Sequence, residues 1–177
     1  MNTALQLRDA TPADLPVIQA IYAPHVLHGS ASFELEPPDV AELARRLAAV
    51  REAGLPYRVA ELDGEVVGYA YATLYRPRPA YRHTAEDSVY VREGLGGRGI
   101  GRRLLEEVIE ACTLAGFRQL VAVIGDSANR GSIALHQCLG FRLVGTFEAV
   151  GFKHGRWVDT VLMQRNLGEG DRTPGSR

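Results

Sequence analysis

The chain has 177 residues, about the size that a single hydrophobic core stabilises, and we predict one domain. A net charge of -1 and a charged fraction of 23% give no strong field for nucleic acid or an anionic membrane, so the expected partner is a small molecule. No apolar run reaches ~18 residues and the N-terminus has no basic, apolar leader pattern, so we expect a cytoplasmic protein. Cys112 and Cys138 belong to no ligand cluster and are predicted to be reduced.

The first part of the chain carries one strand signal and two helix signals. A short strand near Leu5 to Arg8 leads to Thr11, and the following Pro-Ala-Asp is typical of a helix start. Apolar residues at helical spacing then predict two amphipathic helices, the second of which ends at Gly54. Their apolar positions are Leu15, Ile18, Ile21, Tyr22 and Val26 in the first helix and Val40, Leu43, Leu47 and Val50 in the second.

The middle of the chain predicts a hairpin. Residues 57–62 and 66–74 are rich in strand-forming residues, and the Asp63-Gly64 pair between them favours a two-residue turn. Residues 74–84 are predicted to form a loop. The strand pattern resumes at Asp87 and ends at Val91.

The second half predicts alternating helices and strands. A third helix follows the glycine-rich segment 96–101, and its apolar stripe ends at Gly116. The continuously apolar run 120–124 predicts a strand buried on both faces, joined by a parallel crossover around that helix. A fourth helix at 129–139 and two strands at 141–147 and 157–165 complete a mixed α/β fold of six to seven strands and four helices. The domain is expected to span residues 1–167, with a loose, disordered tail at 168–177.

The segment Gly96-Gly97-Arg98-Gly99-Ile100-Gly101 lies between a strand and a helix. Such a turn directs unpaired backbone N–H groups and the positive end of the helix dipole at one point, which favours an anion. Glycine allows positive φ angles and a close approach of the backbone to phosphate oxygens. Arg98, Arg102 and Arg103 add positive charge. The segment therefore predicts a phosphate-binding turn.

Two alternatives remain for this turn. In the first, its glycines only satisfy the local geometry of a strand-to-helix connection. In the second, residues 94–99 spell the GxGxxG pattern of dinucleotide-binding folds, with Asp126 after the next strand. A preceding antiparallel hairpin and the short remaining chain argue against the dinucleotide fold. A P-loop is excluded because no Gly-Lys-Ser/Thr follows.

The turn resembles the coenzyme motif of the GNAT superfamily of acyl-CoA N-acyltransferases, R/Q-x-x-G-x-G/A, with Gly96 where the superfamily prefers Arg or Gln. The chain is most similar, from Leu7 to Gln164, to the phosphinothricin N-acetyltransferase family, which includes methionine sulfone and sulfoximine acetyltransferases. The segments that carry this resemblance are 21–34, 84–91, 121–125, 132–141 and 151–164. It implies a GNAT fold and acetyl-CoA as co-substrate.

The resemblance also implies roles for individual residues. Val89, Tyr90 and Val91 would present backbone groups to the pantetheine arm and the thioester, and Asn129 would hydrogen-bond the coenzyme, a role compatible with that of an N-cap. Glu86 matches the acidic position beside the acceptor amine, and the family commonly forms homodimers. The residues expected to hold the pyrophosphate are Gly97, Arg98, Gly99, Ile100, Gly101 and Arg102.

Acetyl transfer needs a neutral amine and a proton for the departing thiolate. Glu86, placed just before the coenzyme-binding strand, is the candidate base, directly or through water, and the alternative is a solvated acid at a strand edge. His136 stands where many superfamily members have Tyr and is the candidate acid, with a purely structural role as the alternative.

The acceptor side is predicted from charge and position. Arg76 and Arg78 suit a carboxylate, phosphinate or sulfone oxygen, whereas Arg82 on the same loop is expected to be solvated. Phe33 and Glu34 are expected to close the acceptor pocket. The predicted function is metal-free, direct acetylation of the α-amine of a small amino-acid-like substrate. The alternatives are another amine, such as a polyamine, an aminoglycoside or a protein N-terminus, and a non-catalytic acetyl-CoA-binding module.

Overall fold

The computed structural model describes residues 5–176. Within this range the chain forms one seven-stranded sheet with helices on both faces. The strands are β1 (Gln6–Asp9), β2 (Tyr57–Leu62), β3 (Glu65–Leu74), β4 (Thr84–Val91), β5 (Gln119–Gly125), β6 (Arg142–Lys153) and β7 (Arg156–Asn166). The helices are α1 (Leu15–Leu27), α2 (Val40–Glu52), α3 (Ile100–Leu114) and α4 (Arg130–Cys138), with short 3₁₀ turns at Pro12–Asp14 and Pro79–Tyr81.

The sheet is mixed, as predicted. Its strand order is β1-β2-β3-β4-β5-β7-β6, and every neighbouring pair is antiparallel except β4 and β5, which are parallel and joined by α3. The β2–β3 turn at Asp63 and Gly64 has φ angles of 53° and 81°, as a tight hairpin of primed type requires. The hairpin and the parallel crossover are therefore confirmed.

Alternation along the central strands assigns the helices to the two faces. A Cβ on Gly68 of β3 would lie 3.2 Å from Leu104 and 3.3 Å from Ile100, so this side of the strand faces α3. The next residue, Tyr69, stacks on Tyr90 of β4, which in turn contacts Tyr22 of α1. Helix α3, with Leu135 of α4 beside its Gly101, thus covers one face, and α1, with α2 packed against it, covers the other.

The entry to α1 follows its sequence signal closely. The backbone N–H and the hydroxyl of Thr11 both donate to the Asp14 carboxylate, at 2.7 and 2.9 Å, while Arg8 pairs with the same group. The Arg8 guanidinium, opposed by some desolvation, lowers the pKa of Asp14 to about 2. This capping box ties the end of β1 to the first helix.

Three strand predictions need correction. Strand β4 begins at Thr84, so Glu86 lies inside the strand rather than before it. Val123 of β5 is 40% exposed, so this apolar strand is not buried on both faces. Strand β6 continues to Lys153 rather than ending at 147, because a bulge around Ala149, whose φ is 52°, interrupts the alternation in the sequence.

Neither cysteine lies on a strand of the predicted site, and the C-terminal segment packs back on the domain. Neither cysteine forms a disulfide bond within residues 5–176; Cys112 is buried in α3, and Cys138 is exposed and donates to the Leu135 carbonyl. After β7 the chain turns back, and Arg118 donates to the carbonyls of Thr173 and Pro174 at 3.2 and 3.0 Å. The domain boundary at residue 167 and the loose character of the tail stay predictions.

Candidate active site

The site lies where β4 and β5 separate. The two strands pair only from Thr84 to Asp87 on β4 and from Gln119 to Ala122 on β5. Both strands continue beyond these pairs, so the sheet opens into a cleft with a cavity of about 400 Å³. Predicted site residues that line the cavity are Val89, Tyr90, Val91, Asn129 and His136, and Asp87, Ser132 and His25 lie beside them.

The glycine turn lies next to this cleft, and its backbone geometry explains its sequence. Gly97 and Gly99 have φ angles of 76° and 79°, and Gly99 is the N-cap of α3. Residues with a Cβ rarely adopt such angles, so these two positions favour glycine. Gly96 does not have a positive φ, and a Cβ there would meet no heavy atom within 4 Å. The atypical Gly96 is therefore not required by the geometry of the turn.

The residues of this turn fit a diphosphate. The first turn of α3, at Ile100, Gly101 and Arg102, carries backbone N–H groups without intrahelical acceptors, which favour anions. Gly97, Arg98 and Gly99 are exposed. The guanidinium of Arg102 lies 2.9 Å from Glu106 one helical turn away. The predicted phosphate cradle thus consists mainly of backbone groups.

The cleft wall fits an extended coenzyme arm. Residues of β4 after Asp87 pair with β3 but not with β5, so their second backbone edge faces the cleft. His25 occupies part of this edge, because its Nε2 lies 3.1 Å from the Val91 carbonyl and must therefore be the donor. Asn129 caps α4 by accepting a hydrogen bond from the Ser132 N–H at 3.2 Å, and it also lines the cavity.

Glu86 lies at the point where the strands begin to separate. It pairs with Thr73 of β3 and Val121 of β5, one residue before the last β4–β5 pair. Burial, followed by the neighbouring charge of Asp87, raises the pKa of Glu86 to about 7, and Arg76 partly opposes this rise. A carboxyl group with a pKa near 7 suits general base catalysis at neutral pH.

His136 is buried, with an exposed fraction of 2%, and both of its ring nitrogens have partners. Nδ1 lies 2.7 Å from the Ser132 carbonyl and Nε2 lies 2.9 Å from Asp87 Oδ2, while the ring of Phe141 packs edge-on against the imidazole. Burial lowers the pKa of His136, but the hydrogen bond and charge of Asp87 outweigh burial and leave the pKa raised. The imidazole thus has a fixed orientation at the cleft wall, with both ring nitrogens in hydrogen bonds, and its raised pKa favours the protonated form.

The predicted acceptor-side residues lie on a different wall. Arg76 and Arg78 are exposed on the loop before β4, and the Arg76 guanidinium lies 5.1 Å from the centre of the Tyr75 ring. Since Arg76 lowers the pKa of Glu86, it lies within electrostatic reach of the candidate base. Arg82 is exposed and donates to the Pro79 carbonyl of its own loop at 3.3 Å.

Phe33 and Glu34 belong to the segment between α1 and α2. Phe33 is 40% exposed and packs directly against Gly151 of β6. The Glu34 carboxylate pairs with Arg46 at 2.6 Å and accepts a hydrogen bond from Tyr22. Burial raises the pKa of Glu34, but the hydrogen bonds from Arg46 and Tyr22 together lower it by more, so the pKa lies below its usual value. Glu34 is thus committed to an ion pair, and a direct contact with acceptor stays a prediction.

The β6–β7 hairpin holds this segment in place, which the sequence did not predict. Lys153, which is 4% exposed, donates to the Ser32 carbonyl at 2.7 Å, and Arg156 pairs with Asp126. A Cβ on Gly125 would lie 2.5 Å from the Ser30 carbonyl oxygen. The sequence feature that accompanies this packing is that Lys153 is the single lysine among 20 lysine and arginine residues.

Asp87 is a second residue that the sequence analysis did not select. In the segment Ala85-Glu86-Asp87-Ser88-Val89, alternation places Asp87 on the same face as two apolar residues. A buried acid requires a partner, so this pattern was a usable signal. Across residues 5–176, no three His, Cys, Asp or Glu side chains are grouped to hold a metal ion, and no helix is long and apolar enough to cross a membrane.

Comparisons with known proteins agree with this geometry. A family model described as an acetyltransferase (GNAT) domain matches residues 7–162. A phosphinothricin N-acetyltransferase of Alcaligenes faecalis is 55% identical over 170 residues, which cover 96% of this chain and 86% of the relative. An L-methionine sulfoximine/L-methionine sulfone acetyltransferase of Pseudomonas paraeruginosa is 43% identical over 91% of this chain and 94% of the relative.

A solved structure gives the same result for the fold. The crystal structure of a GNAT superfamily phosphinothricin acetyltransferase from Sinorhizobium meliloti, in complex with AcCoA, has a TM-score of 0.94 and 50% identity. The match covers 98% of this chain and 94% of that one. The seven-stranded mixed sheet with its separated β4 and β5 is thus the fold of a known acetyltransferase structure. The chain belongs to the GNAT acetyltransferase family.

Proposed function

We propose that the protein acetylates the α-amine of a small amino-acid-like acceptor, of the methionine sulfone, methionine sulfoximine or phosphinothricin type, by direct transfer from acetyl-CoA. The observation that carries this proposal is Glu86, a carboxyl group with a pKa of about 7 at the point where β4 and β5 separate. The names of the relatives from Alcaligenes faecalis and Pseudomonas paraeruginosa support the choice of acceptor.

In the proposed mechanism, acetyl-CoA supplies an activated acetyl group as a thioester. Glu86 accepts a proton from the acceptor ammonium, directly or through water, and so makes the amine nucleophilic. The cleft-facing backbone of Val89 to Val91 orients the thioester and polarises its carbonyl. The amine nitrogen then bonds to the carbonyl carbon and releases a second proton to water, and a proton from the His136 side of the cleft goes to the sulfur as the carbon–sulfur bond breaks. The products are the N-acetyl compound and the free thiol, and no metal ion takes part.

The acceptor is held, in this proposal, by Arg76 and Arg78. Both guanidiniums are exposed, and a planar guanidinium matches carboxylate, phosphinate and sulfone oxygens. The same positive charge disfavours a polyamine or aminoglycoside. Phe33, packed on Gly151, closes the pocket on the side of β6.

We further propose a cytoplasmic homodimer with no nucleic-acid or membrane partner. A row of exposed apolar side chains along the edge of the sheet supports self-association, since such patches commonly mark interfaces. The absence of a disulfide between Cys112 and Cys138 in the described part of the chain is in keeping with a reducing compartment. The exposed apolar residues of this sheet edge are Leu143, Val144, Phe147, Val150, Phe152 and Trp157.

A thiol-release assay with acetyl-CoA tests this function. The acceptor panel contains methionine sulfone, methionine sulfoximine, phosphinothricin, ordinary amino acids, polyamines, aminoglycosides and a peptide N-terminus. We expect the first three to be turned over with the highest kcat/KM and to give intersecting initial-rate plots, as direct transfer requires. Parallel plots would contradict direct transfer. Preference for another amine would overturn the acceptor class, and acetyl-CoA binding without turnover would favour a non-catalytic module.

A further inference from the structure

Asp87 is a buried acid between the two candidate catalytic groups. Its residue exposure is 6%, and its carboxylate Oδ2 lies 2.9 Å from His136 Nε2. Its second oxygen, Oδ1, has no hydrogen-bond partner within the described part of the chain. A buried carboxylate with an unpaired oxygen costs free energy, and an apolar residue would fill the same space at lower cost. Stability therefore does not explain why the strand carries an acid here.

The hydrogen bonds around His136 fix where its protons lie. The Ser132 carbonyl can only accept a hydrogen bond, so Nδ1 carries a proton. Nε2 faces the Asp87 carboxylate, which accepts a hydrogen bond when Nε2 carries the second proton of the imidazolium. The tautomer with a bare Nδ1 is excluded.

The charged surroundings of this pair are simple. Glu86 is adjacent to Asp87 along the strand, with its side chain on the opposite face of the sheet. The positive charge of Arg76 lowers the pKa of Glu86. Ala122 faces the cleft from β5, and Phe141 covers the imidazole from the start of β6. Arg165 of β7 donates to the carbonyl of Leu139, near the end of α4.

We propose that Asp87 is a positioning residue for acetyl transfer: it fixes the orientation of His136, favours a proton on its Nε2, and places a negative charge between His136 and Glu86. This inference rests on the proposed function, in which these two groups move the protons. Asp87 contacts neither reactant in this mechanism. Its effect is exerted through the proton affinities of its two neighbours.

Loss of the Asp87 charge lowers the pKa of both neighbouring groups. The negative charge of Asp87 stabilises the His136 imidazolium and destabilises the Glu86 carboxylate, so it raises the pKa of both groups. Without this charge, both groups lose their protons at lower pH. Both limbs of the pH profile of kcat then move toward acid. A side chain that merely fills space would change neither limb when replaced by an isostere.

The test compares Asp87→Asn with the wild-type protein by NMR titration of the histidine rings, without substrates. The His136 signal is assigned from its loss in His136→Asn. We expect the His136 pKa to lie above ~6.5 in the wild type and to fall by about 1 to 3 units in Asp87→Asn. Asp63→Asn, in the exposed β2–β3 turn, is the matched control and should leave the titration unchanged.

Kinetics complete the test. In Asp87→Asn we expect kcat to fall roughly 10- to 100-fold, the KM for acetyl-CoA to stay within about twofold, and the pH profile of kcat to shift toward acid. An unchanged His136 titration, or a lower kcat with an unshifted pH profile, would overturn the proposal. If Asp87→Asn does not fold, the wild-type titration alone decides: a His136 pKa at or below ~6.5 would also overturn the proposal. An inactive wild-type protein with the expected titration would refute the proposed function alone.

Discussion

The two walls of the cleft are built in different ways. The proposed coenzyme wall depends on backbone conformation, with positive φ angles at Gly97 and Gly99 and N–H groups without intrahelical acceptors at the start of α3. The proposed catalytic wall depends on side chains from distant parts of the chain, such as Asp87 and His136, which are 49 residues apart. In the proposed function, coenzyme binding is thus encoded locally and proton transfer through tertiary contacts. Substitutions on the two walls should therefore fail in different ways.

The largest effect is expected from Glu86→Gln. This change keeps the shape of the side chain but removes the base, so kcat should fall by about 10² to 10⁴ while the affinity for acetyl-CoA stays unchanged. In the wild type, kcat/KM for the acceptor should fall as the pH drops through about 7, where Glu86 becomes protonated. Pre-steady-state and steady-state rates measured from pH 5.5 to 9 test both points. Retention of the acid limb in Glu86→Gln would contradict the assignment.

Glu86→Gln should lower kcat but raise thermal stability, and the measured Tm therefore serves as the folding control for this variant. Because the folded-state pKa of Glu86 is raised to about 7, folding is favoured at low pH and loses this contribution as the pH rises through 7. Glu86→Gln never carries the buried charge, so it should have a higher Tm than the wild type at pH 8. This difference should disappear near pH 4. A lower Tm at pH 8 would indicate that the variant damages the fold.

The second effect tests the coenzyme wall. Gly99→Ala places a Cβ on a residue with a φ of 79°, which costs about 1 to 2 kcal/mol. The exposed turn can relieve this strain in the unliganded protein by leaving that conformation, so acetyl-CoA binding, which requires the conformation, should weaken by roughly 5- to 30-fold. The kcat at saturating coenzyme should change far less. Calorimetric titration with acetyl-CoA measures the affinity. Gly54→Ala, at the end of α2 with a φ of 70°, carries the same strain far from the turn and should lower only stability.

The third effect concerns the acceptor. Arg76→Ala and Arg78→Ala should each raise the KM for methionine sulfone by about 5- to 20-fold, because each loses a charge-assisted hydrogen bond to the acceptor. Arg82→Ala, which removes an exposed guanidinium bonded to its own loop, is the matched control. Arg76→Ala should also raise the pKa of Glu86, since Arg76 lowers it. Unchanged KM values in both variants would exclude this loop from acceptor recognition.

The same contrast explains what could be predicted from the sequence. The hairpin at Asp63-Gly64 and the N-cap at Asn129 depend on neighbouring residues and were predicted correctly. Strand β6 was predicted too short because its bulge at Ala149 breaks the alternation. The contact of Asp87 with His136 depends on how β4 and α4 meet in the folded chain, and no local pattern contains that information. The alternation in β4 showed only that Asp87 needs a partner.

The smallest expected effect, from Gly96→Gln, tests whether the coenzyme wall depends on backbone groups alone. Gly96 lacks a positive φ and has open space where a Cβ would lie, so glutamine should fit without strain. Its amide would add a hydrogen-bond donor at the position where the superfamily prefers Arg or Gln, and acetyl-CoA affinity should rise about two- to fivefold. Gly94→Gln, at a φ of 80°, should instead weaken binding. If Gly96→Gln and Gly94→Gln weaken acetyl-CoA binding equally, the affinity is limited by how closely the backbone approaches the coenzyme. A side-chain donor at position 96 then adds nothing to the affinity.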